Sequence, residues 1–385
     1  MINLKLSHIT TTDEFRALRD EWNTLNDRAR QGTIFSSWEW LFSWWEVYQH
    51  EGKRQLYILC CRQHGKLVGI APFQIHYHPR RYFPCNTQLI LLGTGETDGT
   101  LVLSEYLDII AEPGLESRIM EAFSNALMAK QEMWQATKFT QLLAGSNLSR
   151  LFEGQHLSII SKETPCGFRT LIDLPDTYKD YLMSLRKKKR NNITRMYTRL
   201  QTEQTFVVDS LNDGLNPDIA LTELAGLNRE RFTQLKQPSP FDSANFKAFH
   251  HSLVKRLLPL NKVQIRILRI KGKAVAGLYS LIDGETMHAY QCGFESKLGH
   301  RYALLTMMLT QEISHCIDDP QFTRFNFMYS IDENSYKLRY SAYTEPMFNL
   351  SHFPRGYKAQ LYQFIHGPLK QQVKSLLKKV RKTSG

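Results

Sequence analysis

QLYILCCRQHGKLVGIAPFQIHYH, residues 55–78, and VQIRILRIKGKAVAGLYSLI, residues 263–282, decide the fold. Each consists of two β-rich apolar runs around a two-residue turn, His64-Gly65 in the first and Lys271-Gly272 in the second. That is the pattern of a β-hairpin. The two agree in detail: Gly65-Lys66-x-Val68-Gly69 is matched by Gly272-Lys273-x-Val275-x-Gly277, and a basic residue, Arg62 or Arg269, stands near the end of each first strand. Around both, the same order recurs: helices, hairpin, strand, helix, strand. The chain therefore reads as a duplicated α/β (α+β) unit, each copy a mixed sheet flanked by helices.

Working outward from the first hairpin, INLKLSHI reads as a strand, followed by a helix with Thr12 or Asp13 as N-cap and Phe15, Leu18, Trp22 and Leu25 at helical spacing. Ser36-Ser37-Trp38-Glu39 opens a second helix, WEWLFSWWEVY. Its tryptophans suit either a membrane interface or a core, and Glu39 and Glu46 favour the core. A strand at about 87–93, a helix at 115–129 and a strand near 138–143 complete this half. Around the second hairpin, residues 176–203 read as one long helix and two more follow near 217–236 and 242–258. A strand at 285–294, a helix at 301–317 and strands at 322–329 and 345–352 come after the hairpin. The length of 385 residues suits two domains. Turn chemistry at Pro165-Cys166-Gly167 places the boundary, giving domains over 1–165 and 166–352 and a basic amphipathic tail over 353–385, kinked at Pro368.

Composition narrows the class. The chain is 42% hydrophobic and 22% charged, which is globular. Apolar stretches are interrupted by charges well short of the ~20 residues of a membrane span. The first residues lack the layout of a signal peptide. Six scattered cysteines show no paired metal-ligand spacing, so reduced thiols in a cytoplasm and no metal are expected. The excess of 49 Lys+Arg over 37 Asp+Glu is concentrated in two places. One is the tail, which carries eight cations and no acid after Glu345. The other is the stretch from Arg186 to Arg199, with seven cations and no acid. The tail could lie on a membrane surface or dock on its own domain.

No phosphate-binding loop, dinucleotide fingerprint, HExxH or GxSxG motif is present. Three segments remain. Lys187-Lys188-Lys189-Arg190-Asn191-Asn192-Ile193-Thr194-Arg195 is a dense donor surface suited to phosphate or carboxylate, or else a solvated helix face. The strand-to-helix join Cys292–Leu305 exposes the positive end of a helix, with Lys297 and Arg301 nearby, and suits a pyrophosphate such as that of coenzyme A. The third, Asn326–Tyr340, ends a strand in a polar turn and then alternates aromatic and basic residues. There Lys337 could neutralise charge developing in an acyl-transfer transition state.

Taken in order, these segments resemble the GNAT-fold N-acyltransferases related to bacterial cellulose-biosynthesis acetyltransferases, themselves similar to Fem-type peptidyltransferases. The resemblance rests on Phe35-Ser36-Ser37-Trp38 running on to Trp44-Trp45, on Arg190-Asn191-Asn192-Ile193-Thr194-Arg195, and on Tyr336-Lys337-Leu338-Arg339-Tyr340, over roughly residues 30–350. It implies two tandem GNAT-like domains and an enzyme moving an acyl group from acetyl-CoA or a longer acyl-CoA to an amine or hydroxyl of a polysaccharide, lipid or amino-sugar precursor. The donor would sit on Gly299, Arg301, Tyr302, Ala303 and Leu304, and the acceptor on Arg190, Asn191, Arg195 and Arg339. Candidate catalytic residues are Tyr336 as general acid, Lys337, and Glu295 or His300 as base. Ala303, or a displaced Gly299, stands where the family has glycine, and Asn326 where it has an acid. Two alternatives compete: a Fem-like transferase using charged tRNA, the one nucleic-acid partner expected, and a non-catalytic basic scaffold.

Overall fold

The computed structural model describes residues 4–77, 86–155, 158–331 and 335–356. All but the first few residues of the expected amphipathic tail lie outside them. The chain forms two compact units. The first holds residues up to Thr97, Tyr106–Pro165 and the residues from Phe348 on. The second holds Asp98–Glu105 and Cys166–Met347.

The first unit runs β1 (Leu4–Ile9), α1 (Thr12–Ala17), α2 (Arg19–Asn26), α3 (Trp38–Tyr48), β2 (Lys53–Gln63), β3 (Lys66–Tyr77), β4 (Thr87–Leu91), β5 (Ile110–Ala111), α4 (Glu116–Ala129), β6 (Ala136–Leu143) and α5 (Asn147–Arg150). It is joined to the second by β7 (Ile159–Asp173). Its strands lie in the order β1-β2-β3-β4-β6, with β5 beside β3, antiparallel except for the parallel pair β4/β6. Thr11, one residue before the expected caps, starts α1 through a reciprocal capping box with Glu14. The aromatic helix α3 is core: Trp38, Trp40, Trp44 and Trp45 are all buried, each burial contributing about 2 kcal/mol. Their polar handles are satisfied: Trp38 Nε1 donates to Phe15 O (2.9 Å), Trp44 Nε1 to Glu96 (2.8 Å) and Trp45 Nε1 to Thr12 (3.0 Å).

The second unit continues with α6 (Tyr178–Ser184), α7 (Lys187–Glu203), β8 (Phe206–Ser210), α8 (Pro217–Gln234), α9 (Ala244–Leu257), β9 (Val263–Ile270), β10 (Lys273–Asp283), β11 (Thr286–Phe294), α10 (Ser296–Tyr302), α11 (Leu304–Asp318), β12 (Arg324–Ser330) and β13 (Tyr343–Pro354). Its order is β8-β9-β10-β11-β12-β7, again antiparallel apart from one pair, β11/β12. Both units thus repeat one plan, a mixed and mostly antiparallel sheet flanked by helices, as the two hairpins led one to expect. The glycine that closes each hairpin motif is a packing requirement. A Cβ at Gly69 would lie 2.7 Å from Ile119 of α4, and one at Gly277 would lie 3.0 Å from Leu224 of α8.

Three local expectations change. The helix expected over 176–203 breaks at Leu185-Arg186, both of which are extended (ψ 147° and 135°). The helix expected over 301–317 is two helices, parted at Ala303 in the left-handed region (φ 52°). Pro165-Cys166-Gly167 is not a turn but the middle of the fifteen-residue strand β7. Among the described residues no helix is long and apolar enough to cross a membrane.

Candidate functional site

The second unit's sheet is split. β11 and β12 pair in parallel only at Thr286↔Arg324, Met287↔Phe325 and His288↔Asn326, although both strands run on. Each strand bulges just past that point, and bulges bend strands. On β11 the register against β10 skips Tyr290, since Tyr279 faces Gln291 and Ser280 faces Ala289. On β12 the register against β7 jumps from Asn326↔Leu171 to Tyr329↔Arg169, so Phe327 and Met328 oppose Thr170 alone. Met328 takes a left-handed backbone (φ 65°), and Asn326 Oδ1 supports it by accepting from Met328 N at 2.8 Å. Asn326 therefore has a structural task at the bulge. The crevice lies at the carboxyl ends of two parallel strands, where open α/β sheets bind ligands.

Residues 335–341 follow at the end of β12. Lys337 Nζ donates to the carbonyls of Met328 (3.1 Å) and Tyr329 (2.6 Å). Burial pushes its ammonium down to about 8; Glu105 and Cys292 act against that shift and Arg231 adds to it. Tyr336 is 40% exposed, yet its hydroxyl is pushed well up, first by loss of water and then by Cys292, so it stays a phenol at neutral pH. Tyr340 is buried against Phe327 with ring centres 5.2 Å apart and donates to Thr306 Oγ1 at 3.1 Å.

Beside this turn opens a cleft of about 1160 Å³ lined by residues of α7, α11 and 335–341. Its cations are Arg186, Lys188, Lys189, Arg195 and Arg339, and among the described residues no acid lines it. Two helices begin beside it without a side-chain cap. α7 starts Arg186-Lys187-Lys188-Lys189 with no acid in its first turn and no side-chain cap. Each cation at a helix N-terminus opposes the dipole by ~0.3–1 kcal/mol. α11 starts on Ala303 with neither a side-chain cap nor an acid in its first turn. Thr306, in that first turn, lines the cleft. Burial and nearby Arg339 push Lys189 down to about 8. Like charges gathered in this way call for an anion with several oxygens.

The expected residues divide between the cleft and the scaffold. Asn191, Arg195 and Arg339 line the cleft. Arg190 instead donates to the carbonyls of Leu182, Met183 and Leu185 and closes the end of α6. Glu295 caps α10 by accepting from Leu298 N at 2.8 Å. Gly299 packs on Phe294, where a Cβ would come within 2.3 Å of the ring. His300 is exposed and edge-on to Phe294. Arg301 pairs with Glu203 at the far end of α7, and Tyr302 donates to the same carboxylate at 2.9 Å. With Arg199, these bonds hold Glu203 down to about 2. Tyr302 and Leu304 are core. The expected donor set thus builds the α10–α11 join, while Arg186, Lys188 and Lys189, all within the basic run, and Thr306 face the cleft. Thr306 lay just past the expected donor residues, and helical phase from an α11 start at Leu304 would have found it. Among the described residues no group of three or more His, Cys, Asp or Glu comes together to hold a metal.

Residues 187–338 match the model of the Acetyltransferase (GNAT) domain. No curated protein matches it. Among solved structures it is similar to FemX, with a TM-score of 0.62 at 10% identity over 94% of this chain and 99% of that one. It is also similar to a conserved protein of unknown function from Bacteroides thetaiotaomicron, with a TM-score of 0.53 at 13% identity over 92% and 100%. L-PGS from Bacillus licheniformis has a TM-score of 0.50 at 14% identity over 90% and 95%. At these identities the likeness is one of fold.

Proposed function

We propose that this chain is an N-acyltransferase of the group related to cellulose-biosynthesis acetyltransferases, working in the cytoplasm. It would move an acyl group from acetyl-CoA or a longer acyl-CoA to an amine or hydroxyl. One observation carries the reading: a cleft whose described lining holds five cations and no acid, and to which the uncapped first turns of α7 and α11 contribute residues. A donor with pyrophosphate and a further phosphate supplies the missing negative charge. The acceptor class, a precursor of polysaccharide, lipid or amino sugar, rests on the sequence resemblance alone.

In this reading Arg186, Lys188, Lys189, Arg195 and Arg339 hold the phosphates and the split between β11 and β12 takes the reacting groups. The acceptor's lone pair attacks the thioester carbonyl, the C–S bond breaks, the thiolate leaves, and the proton shed by the acceptor nitrogen or oxygen passes through water to restore the Tyr336 phenol once that has given up its own. The Lys337 ammonium stabilises the negative charge that develops, and the Tyr336 phenol protonates the thiolate. The exposed cations at the mouth, Arg186, Lys188 and Arg195, also suit the acceptor stem of a charged tRNA, which is the second reading.

The test is calorimetric titration with acetyl-CoA and a long-chain acyl-CoA, using the natural chain and the Arg195→Ala/Arg339→Ala double variant. Each lost phosphate contact should weaken binding about tenfold, and the double variant about a hundredfold. Equal binding by both proteins would remove the donor from the cleft. Binding of charged tRNA but of no acyl-CoA would select the second reading, and binding of neither would leave a scaffold.

A further inference from the structure

The second unit is not contiguous in sequence: Asp98–Glu105 belong to it together with Cys166–Met347. This segment is fastened at three points. Ser243 donates to Asp98 at 2.6 Å, the Tyr290 hydroxyl donates to Val102 O, and Tyr329 N–H lies 3.0 Å from both carboxylate oxygens of Glu105. Two of the three partners stand at the bulges of the parted strands: Tyr290 is the bulged residue of β11, and Tyr329 is the first paired residue after the bulge of β12. The segment therefore bridges the split from one bulge to the other.

Glu105 is completely buried. A carboxylate is buried only where charge and hydrogen bonds compensate it. The Met328–Tyr329 peptide supplies both links. Its N–H donates to Glu105, and its carbonyl accepts from Lys337 at 3.1 Å. A peptide group is planar with its N–H and C=O on opposite edges, so the carboxylate and the ammonium hold the two ends of one dipole. Each strengthens the other's bond, because an N–H polarised by an anion makes its carbonyl a better acceptor. The same peptide follows the left-handed Met328, a backbone state costing ~1–2 kcal/mol that must be held in place.

We infer that Glu105 is a positioning residue of the transfer site: through the Met328–Tyr329 peptide it fixes the place of the Lys337 ammonium and supplies its counter-charge. The inference deepens the acyltransferase reading and rests on it. The charged and titratable groups around Lys337 are Glu105 on the inserted segment, Cys292 on β11, Arg231 on α8, and Tyr336 and Arg339 on its own turn. Among the described residues Glu105 is the one carboxylate of this set, and its charge opposes the burial that drives the ammonium toward the neutral amine. Without it Lys337 would lose its proton at a lower pH and the site its positive charge.

Glu105→Gln tests this, since the amide oxygen still accepts from Tyr329 N–H while the charge is gone. Trace labelling with acetic anhydride, read by mass spectrometry on the peptide containing Lys337, measures that lysine's titration in the full chain without turnover. Its midpoint should fall by about one pH unit in Glu105→Gln and stay in place in Glu105→Asp. In the transfer assay the alkaline limb of kcat should move by the same amount, with KM for the donor unchanged. A Lys337→Arg background stays charged and should abolish both the limb and its movement. An unmoved Lys337 midpoint in folded Glu105→Gln overturns the inference, as does a midpoint that moves equally in Glu105→Asp. If Glu105→Gln does not fold, the Asp variant decides alone: a midpoint displaced by a unit despite the retained charge refutes the coupling, and an unmoved midpoint with lowered kcat upholds it. If no donor is ever turned over, the acyltransferase reading falls while the labelling result still decides whether the two residues are coupled.

Discussion

Lys189 Nζ lies 3.9 Å from the centre of the Tyr340 ring, and both side chains donate to the Thr306 hydroxyl, Lys189 at 3.4 Å and Tyr340 at 3.1 Å. One oxygen thus joins α7, α11 and the 336–340 turn at the cleft wall. Tyr340→Phe keeps the ring under the ammonium and loses one hydrogen bond, so about 1 kcal/mol of stability should go while donor affinity holds. Tyr340→Leu removes the ring as well and should weaken the donor ~3–10-fold. Chemical denaturation and calorimetry read the two effects separately, and equal affinities in both variants would show that the ring does not place Lys189.

Two half-buried lysines, Lys189 in the cleft and Lys337 in the turn beside it, set a pH dependence. Lys189 and Lys337 sit near 8, below the ordinary lysine value of ~10.4. Between those values the unfolded chain binds more protons than the folded one, so stability should rise as pH climbs from about 8 toward 10. Below 8 both states are protonated and the full cost of the buried charges is present. A bound polyanion favours the charged Lys189, so donor binding near pH 8–9 should take up protons. Titrations in two buffers of different ionisation heat measure this, and proton release would contradict it.

Arg301 pairs with Glu203 across a half-exposed surface and does not line the cleft. Arg301→Ala should therefore leave donor affinity unchanged and cost less than ~1 kcal/mol in stability. A tenfold loss of affinity would mean that the donor reaches the end of α7.

Ala303 holds a backbone that glycine adopts freely, at a cost of ~1–2 kcal/mol to an alanine. Ala303→Gly should raise the unfolding midpoint, by ~0.5–1 kcal/mol in free energy, without altering the course of the helix. A drop in stability would mean that its methyl group packs usefully.

Gly299→Ala places a Cβ 2.3 Å from Phe294 and should destabilise by ~1–3 kcal/mol. Any fall in donor affinity should then follow stability and be recovered by cooling. A loss of affinity at full stability would return Gly299 to the donor site.

The hairpins could be read from the chain because strand alternation and a Gly-Lys turn are local. So could the basic helix, whose charge pattern cannot be mistaken. The break at Leu185-Arg186 could not, because helical apolar spacing continues through it and only the extended backbone shows the stop. β7 was hidden because Pro165-Cys166-Gly167 has the chemistry of a turn, whereas in the sheet Gly167 gives room to the Tyr329 ring. Glu105 was invisible for a stronger reason. Nothing in the unpatterned stretch around it marks a site, and its partner Tyr329 stands 224 positions away.

The interleaving of the two units has a consequence for how the chain is made. The first unit includes residues from Phe348 on, and the second draws Asp98–Glu105 from the first hundred or so codons. On the ribosome neither unit is complete in a single stretch of translation. The first waits for the last strand while the whole second unit is synthesised, and Glu105 emerges long before the Tyr329 amide it will hold. The usual order, in which an N-terminal domain finishes folding before the next appears, is closed to this protein. A gene fragment cut at the codon for Cys166 would encode the transfer site without its buried carboxylate.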